Sequence, residues 1–369
     1  MEQQKTKHNN LKLKIIGTVG VPANYGGFET LVENLLDYLP KEIETTVFCS
    51  SHNYTKRKII YKNARLRYLI FKANGVQSII YDIVSLILSL GKNNTLLVLG
   101  TSGAIIFPII KILYPSINII CNIDGIEWKR AKWNFLAKKY LQFSEFTACK
   151  YADSIITDNK GIYDHVLMSY QKKSHTIAYG AVVSDINNNV KKYLLKYNLK
   201  KNEYAIKVCR IEPENNVELV LESFSIVESQ TIVIVGNWGN SKFGNSLRNK
   251  YKSFSNIILL DPIYDQVELN ALRSSCEFYV HGHSAGGTNP SLVEAIGLNI
   301  PILAYDVNFN RYTLDNNGHY FSSVKSLVNL INNKNELFDI MYYEAIKNLF
   351  EKKYTWESIG KEYIKLITY

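Results

Sequence analysis

Leu13-Lys14-Ile15-Ile16-Gly17, followed by Thr18-Val19-Gly20-Val21-Pro22-Ala23-Asn24-Tyr25-Gly26-Gly27 and then Phe28–Leu39, is the stretch that decides the fold. The first five residues are short, largely β-branched and closed by glycine, as a buried parallel strand requires. The next ten carry glycine at 20, 26 and 27 and read as a loop. In the last twelve, Phe28, Leu31, Val32, Leu35, Leu36 and Leu39 fall at helical spacing. Strand, glycine-rich loop and helix in that order turn backbone N–H groups and a helix N-terminus toward an anion.

The same alternation runs outward from this unit. Strands are expected at Thr45–Cys49, Leu66–Phe71, Thr95–Leu99, Ile117–Ile123, Ser154–Thr157 and Lys173–Ala178, with helical segments between them. The chain then turns polar over Tyr179–Asn202, where the inter-domain connection is placed. It restarts with strands at Tyr204–Cys209, Thr231–Gly236, Asn256–Leu260, Phe278–His281 and Pro301–Tyr305. Helices are expected at Val217–Ser225, Lys242–Phe254, Tyr264–Ser275 and Ser291–Gly297, and the closing Trp356–Tyr369 is amphipathic. This is α/β architecture, two doubly wound Rossmann-like domains in series. The expected boundaries are 1–190, 200–350 and a C-terminal helical segment 351–369 packing back on the first domain. Ligands of such sheets lie beyond the carboxyl ends of the strands, so the cleft between the domains is the expected site.

A chain of 369 residues is too long for one ordinary core and suits two. Its hydrophobic fraction of 46% and charged fraction of 21% belong to a globular protein. Five scattered cysteines without a C-x-x-C pair argue against a zinc site or a disulfide framework and fit a reducing compartment. Met1–Asn10 holds no apolar signal-peptide core. Val76–Leu90 and Ile105–Tyr114 are too short or too interrupted to span a bilayer and read as buried helices flanking a sheet. The net charge of +10 is uneven: residues 1–200 hold 27 Lys and Arg against 14 Asp and Glu, and the remainder 16 against 19. A basic half suits phosphates, nucleic acid or anionic lipid, or reflects biased composition alone.

Three further clusters carry chemistry. Arg210-Ile211-Glu212-Pro213-Glu214-Asn215-Asn216 follows a strand, where a guanidinium fork can bind a diphosphate. Pairing of Arg210 with Glu212 or Glu214 on the surface accounts for it equally well. His281-Gly282-His283-Ser284-Ala285-Gly286-Gly287-Thr288-Asn289-Pro290-Ser291-Leu292-Val293-Glu294 is again strand, glycine loop and helix. Thr288 or Asn289 can cap that helix, leaving N–H groups for a phosphate, and Glu294 is placed on its first turn within reach of ribose hydroxyls. The two histidines lack further ligands at metal spacing and read as capping or packing residues. Finally, Asp124, Glu127, Trp128, Lys129, Arg130, Lys132 and Trp133 crowd one loop. The carboxylates can hold sugar hydroxyls, the indoles can stack on a sugar and the cations can meet phosphates. A capping box of Asp124 and Glu127 would explain the carboxylates but not exposed tryptophans.

With these motifs assembled, the chain resembles family 4 of the glycosyltransferases, of GT-B fold. More narrowly it resembles the bacterial rhamnosyltransferase-like subgroup of capsule, O-antigen and rhamnose-polysaccharide synthesis. The resemblance rests on Gly17 to Thr30, Asp124 to Trp133, Arg210 to Asn216 and Gly286 to Ala295. It implies a retaining, metal-independent and cofactor-free hexosyl transfer from a dTDP- or UDP-linked sugar, rhamnose or another hexose. The implied acceptor is an undecaprenyl-diphosphate-linked saccharide at the inner face of the cell membrane, where a cytoplasmic, peripheral enzyme would meet an anionic surface. It implies catalytic roles for Asp124, Glu127 and Arg210, and donor contacts from Gly26, Gly27, Arg210, Glu212, Asn215, Gly286, Gly287, Thr288, Asn289 and Glu294. Acceptor contacts fall to Tyr25, Trp128, Arg130, Lys132 and Trp133. Two departures stand out: Asn215 occupies the family's lysine position, and Gly286 that of its first glutamate. The competing readings are another GT-B enzyme such as a nucleotide-sugar epimerase, or a basic nucleic-acid or membrane-binding protein. Nucleic acid is not expected as a partner, since the basic residues form no recognised motif. A nicotinamide enzyme fits worse, because no G-x-G-x-x-G follows the first strand.

Overall fold

The computed structural model describes residues 11–23, 26–123, 125–129, 133–182 and 190–368. The chain forms two compact units, residues 1–179 with 356–369, and residues 180–355.

In the first unit the strands are β1 (Lys12–Ile16), β2 (Glu44–Ser50), β3 (Ile60–Tyr61), β4 (Ala64–Leu69), β5 (Asn94–Leu99), β6 (Asn118–Ile123), β7 (Ser154–Thr157) and β8 (His175–Thr176). They form one sheet in the order β3-β4-β2-β1-β5-β6-β7-β8, parallel except for the β3–β4 pair. Every residue of β5 is buried, as a central parallel strand with both faces covered requires. The strand expected over Lys173–Ala178 shrinks to two exposed residues, His175 and Thr176, in parallel register with β7 at the sheet edge.

Helix Gly27–Tyr38 buries Leu31, Val32, Leu35 and Leu36 against the sheet. Its other side receives the C-terminal helix Trp356–Thr368, whose Trp356, Ile359, Tyr363 and Ile367 join the same core. Gly360 permits the approach: a Cβ there would stand 2.8 Å from Tyr38 Cβ. Each fully buried aliphatic side chain in this seam contributes about 1.5–3 kcal/mol.

The two apolar runs do form helices, Gln77–Ile87 and Phe107–Leu113, but they are not buried all round. Ile80, Ile87, Ile109, Ile112 and Leu113 are exposed, which corrects the expectation that sheet packing absorbs these runs. No described helix is long and apolar enough to cross a membrane.

The second unit contains β9 (Tyr204–Val208), β10 (Thr231–Val235), β11 (Ile257–Leu260), β12 (Phe278–His281), β13 (Ile302–Tyr305) and β14 (His319–Phe321). Their order is β11-β10-β9-β12-β13-β14, all parallel. Renumbered within the unit this is 3-2-1-4-5-6, the order of doubly wound dinucleotide-binding sheets. Helix Val217–Ile226 covers one face through Val217, Val220, Leu221 and Phe224, packed with Leu327 and Ile331 of helix Val324–Asn332. Both units are thus Rossmann-like α/β sheets.

Candidate functional site

In the second unit β9 and β12 are neighbours although three strands apart in sequence order, so the chain reverses direction across the sheet between them. Loops leaving such a switch point are splayed and receive ligands. The loop after β9 carries Arg210, Glu212 and Asn215, and that after β12 carries Gly286, Gly287, Thr288 and Asn289. Hydrogen bonds lock the two together: Ser284 N donates to Glu214 O at 2.9 Å, and Asn216 Nδ2 donates to Gly282 O at 2.8 Å. Asn310 Nδ2 adds a bond to His283 O at 2.9 Å. Asn216 takes the left-handed conformation at φ 48°, which the short polar side chain tolerates.

Arg210 leaves the carboxyl end of β9 with its side chain 48% exposed and a long ion pair to Glu212 at 3.7 Å. The surface pairing left open above therefore exists, but it is too long and too solvated to hold the guanidinium strongly. Asn215 is buried and donates from Nδ2 to Arg210 O at 2.6 Å, so it shapes the loop that presents the arginine. Gly286 has φ 109° and open space around its missing Cβ.

Two expectations for the helix Pro290–Gly297 need correction. Asn289 is its N-cap, but the cap consumes the donors instead of freeing them. Ser291 N donates to Asn289 Oδ1 at 3.0 Å, and Leu292 N and Val293 N both donate to Asn289 O. Pro290 has no N–H to give. An anion at these loops must therefore rely on loop backbone and side chains, not on this helix end. Glu294, placed on the first turn by the sequence, lies one turn further along, at the fifth helical residue. There its Oε2 pairs with Arg273 Nη2 at 2.6 Å.

In the first unit the corresponding switch point lies between β1 and β5. The loop after β1 contains Gly17, Gly20 and Gly26 at φ 89°, 130° and 135°, conformations that L side chains rarely adopt. Two carboxylates of the following helix hold it. Glu29 Oε1 accepts from Val19 N at 2.7 Å and Thr18 Oγ1 at 3.1 Å, and Glu33 Oε2 accepts from Ala23 N at 2.6 Å. Gly26 is the N-cap and supplies no side-chain bond, and Gly27 opens the helix.

The Glu127–Trp133 cluster leaves β6, one strand away from this switch point. Tyr25, Asp124, Arg130 and Lys132 lie outside the described residues. Glu127 begins a short 3-10 turn and accepts from Trp133 Nε1 at 3.0 Å; the capping box expected with Asp124 falls outside the described residues. Trp128 is only partly exposed, its Nε1 is buried and its ring lies 6.1 Å from that of His165. The tryptophans are thus half-buried, which corrects their reading as exposed platforms. His165 Nε2 lies 2.7 Å from the buried Glu145 Oε1, which also accepts from Tyr170 OH at 2.6 Å.

Residues 190–334 match the family described as glycosyl transferases group 1, and residues 11–182 match a domain of unknown function, DUF1972. Sucrose-phosphate synthase from Thermosynechococcus elongatus is similar in structure, with a TM-score of 0.79 at 13% identity over 97% of this chain and 98% of its own. Anabaena HepE, solved with UDP and glucose, gives 0.72 at 12% identity, covering 97% and 99%. The catalytic domain of starch synthase IV from Arabidopsis thaliana, bound to ADP and acarbose, gives 0.68 at 12%, covering 98% and 99%. No curated protein sequence matches the chain. The chain is a glycosyltransferase of GT-B fold.

Several side chains that shape this glycosyltransferase escaped the sequence reading. Arg273 was unremarkable in a helix, and its pairing with Glu294 is visible only in three dimensions. Glu29 and Glu33 carry the correct four-residue helical spacing but gave no sign that they bond backward to the loop. Lys207 did carry a signal: it is a cation within the otherwise apolar strand Tyr-Ala-Ile-Lys-Val.

Proposed function

We propose that this glycosyltransferase moves a hexosyl group, rhamnose or another hexose, from a dTDP- or UDP-linked donor to a lipid-linked saccharide, with retention and without a metal. The observation carrying the reading is Arg210 at the switch point of the second sheet, half exposed and weakly paired. A diphosphate leaving group gains negative charge as the glycosidic bond breaks, and a preplaced guanidinium stabilises that charge at little reorganisation cost. Gly286 and Gly287 let the phosphates approach backbone, while Glu294, oriented by Arg273, offers a carboxylate to ribose hydroxyls. No protein nucleophile is invoked: the departing phosphate oxygen takes the acceptor proton on the same face. Asp124, Glu127, Trp128, Arg130, Lys132, Trp133 and Tyr25 serve the acceptor in this proposal.

The membrane-side acceptor is supported by the first unit's surface. Helices Phe107–Leu113 and Phe135–Tyr151 pack together and expose Ile109, Ile112, Leu113, Phe135, Leu136 and Phe143. Lys138, Lys139 and Lys150 stand on the second of these helices, with Lys139 Nζ 5.8 Å from the Phe135 ring. Apolar side chains beside lysines suit the interface of an anionic bilayer.

Thermal unfolding with UDP, dTDP, GDP and their sugar conjugates tests the donor assignment. A ligand that binds only the folded state raises stability by about 2.7 kcal/mol at a hundredfold excess over Kd. Selective stabilisation by dTDP or UDP compounds supports the proposal, and indifference to all of them at millimolar concentration would sink it.

A further inference from the structure

Lys207 lies on β9, the strand at the switch point, and is 1% exposed. Its Nζ has no hydrogen-bond partner among the described residues. The ammonium sits under the junction of the two loops. A Cβ built on Gly282 would meet Lys207 Nζ at 2.5 Å and Asn215 O at 2.4 Å, so glycine is needed there for the cation to fit. His281 and His283 flank that glycine with rings stacked at 4.5 Å, and both nitrogens of His281 and Nδ1 of His283 are likewise buried without partners.

Burial holds both imidazoles well below their ordinary range, with Lys207 adding to the effect in each and Arg210 in His283. Burial also pulls the ammonium of Lys207 downward, and among the described residues only Cys209 opposes this. Among the described residues, no carboxylate acts on any of the three. Of the two roles the sequence allows the histidines, capping or packing, the described residues show packing, ring on ring.

An apolar strand of this kind gains nothing from an unpaired ammonium, since burying a charge without a counter-charge is destabilising. The unsatisfied donors instead converge beneath the loops at which Arg210 is presented. At this low dielectric an ammonium acts strongly on a nearby anion even without touching it.

We infer that Lys207 is the buried counter-charge for a pyrophosphoryl group held at the 210–216 and 282–289 loops. It supplies, from the strand beneath, positive charge that Asn215 cannot supply from the loop. This rests on the proposed donor reading only for the identity of the full ligand; the anion site is argued from the unpartnered cluster itself.

The test compares wild-type enzyme with Lys207→Met and Lys207→Gln, using inorganic pyrophosphate, UDP, dTDP and the bare nucleosides as probes in calorimetry and thermal unfolding. Both variants should melt, without ligand, at or above the wild-type temperature, because an apolar or neutral group replaces an unpaired charge. Pyrophosphate and both nucleoside diphosphates should bind about tenfold more weakly to them, as fits loss of one charge-assisted interaction, with nucleoside binding unchanged. Variants that melt earlier yet bind pyrophosphate as the wild type does would make Lys207 structural and overturn the inference, as would a wild type indifferent to pyrophosphate. Lys207-dependent binding of pyrophosphate with no binding of any nucleotide would support the anion site while overturning the nucleotide-sugar donor. Nucleotide binding untouched by either variant would do the reverse.

Discussion

Arg273 Nη2 stands 2.6 Å from Glu294 Oε2, with the guanidinium side chain 2% exposed and the carboxylate 30% exposed. The pair is asymmetric: solvent can compensate the glutamate if it is abandoned, but not the arginine. Arg273 Nη1 has a further contact to Asn270 Oδ1 at 3.4 Å, and its Nε has no partner among the described residues. The carboxylate is therefore held by a fixed buried cation with one face open to a ligand.

Glu294→Gln should lower unfolding stability by about 3 kcal/mol, the low end for stranding one member of a buried pair. It should also weaken nucleotide binding, if the open face meets ribose. Urea denaturation gives the first quantity and calorimetry with UDP or dTDP the second. An unchanged midpoint would mean that the pair has no net stabilising effect, and unchanged binding would remove Glu294 from the donor site.

Arg210→Ala should separate catalysis from folding. The half-exposed side chain and its 3.7 Å pair contribute little to stability, so the midpoint should move by less than about 0.5 kcal/mol. Turnover should fall by about 100- to 1,000-fold, the usual effect of deleting one preplaced group that stabilises transition-state charge. Steady-state rates of sugar transfer or donor hydrolysis check this, and retention of wild-type turnover would refute the assigned role.

Two glycines with similar backbone angles should respond differently to alanine. Gly17 has φ 89°, and its Cβ would stand 2.0 Å from Leu99 O, a backbone atom of the central strand β5. Gly286 has φ 109° with no atom within 4 Å of its Cβ. Gly286→Ala therefore costs conformational strain alone, about 1–2 kcal/mol, whereas Gly17→Ala must also displace β1 from β5 and should prevent stable folding. Circular dichroism and melting of the two variants give the comparison, and equal losses would show that sterics at β5 do not matter.

Much of the fold was legible because parallel strands buried on both faces leave continuous apolar runs, as in Thr95–Leu99 and Phe278–His281. The glycine loops were legible because positive φ at Gly17, Gly20, Gly26 and Gly286 restricts the residue type. Edge strands β3 and β14 gave weak signals, being only two and three residues long. The depth of a helix could not be judged from hydropathy: Phe107–Leu113 is apolar on the sides that face outward as well as inward. Within the site, local sequence could place Arg210 at a strand end but could not show partners remote in sequence. The Arg273–Glu294 pair and the seat of Lys207 under Gly282 both depend on geometry that spacing does not encode, whereas the Asn289 cap, two residues from the Ser291 N–H it accepts from, was legible.

Asp82 sets a pH dependence that should be visible in stability alone. It is 3% exposed on helix Gln77–Ile87, and Ser102 donates to its Oδ2. Burial raises its pKa from the ordinary 3.8 to about 7, with the Ser102 hydrogen bond only partly opposing. The folded chain therefore keeps a proton that the unfolded chain has already lost. Between about pH 4 and pH 7 the native state binds more protons, so this group's contribution is complete at acid pH and declines as pH rises through that window. The slope cannot exceed about 1.4 kcal/mol per pH unit for a single proton. Asp82→Asn keeps the shape and an acceptor for Ser102 but cannot ionise. It should flatten that part of the profile and stabilise the enzyme at pH 8 by a few kcal/mol, as read from urea midpoints at half-unit intervals. Parallel profiles for wild type and variant would show that Asp82 titrates as an ordinary carboxylate and that its burial is relieved by solvent.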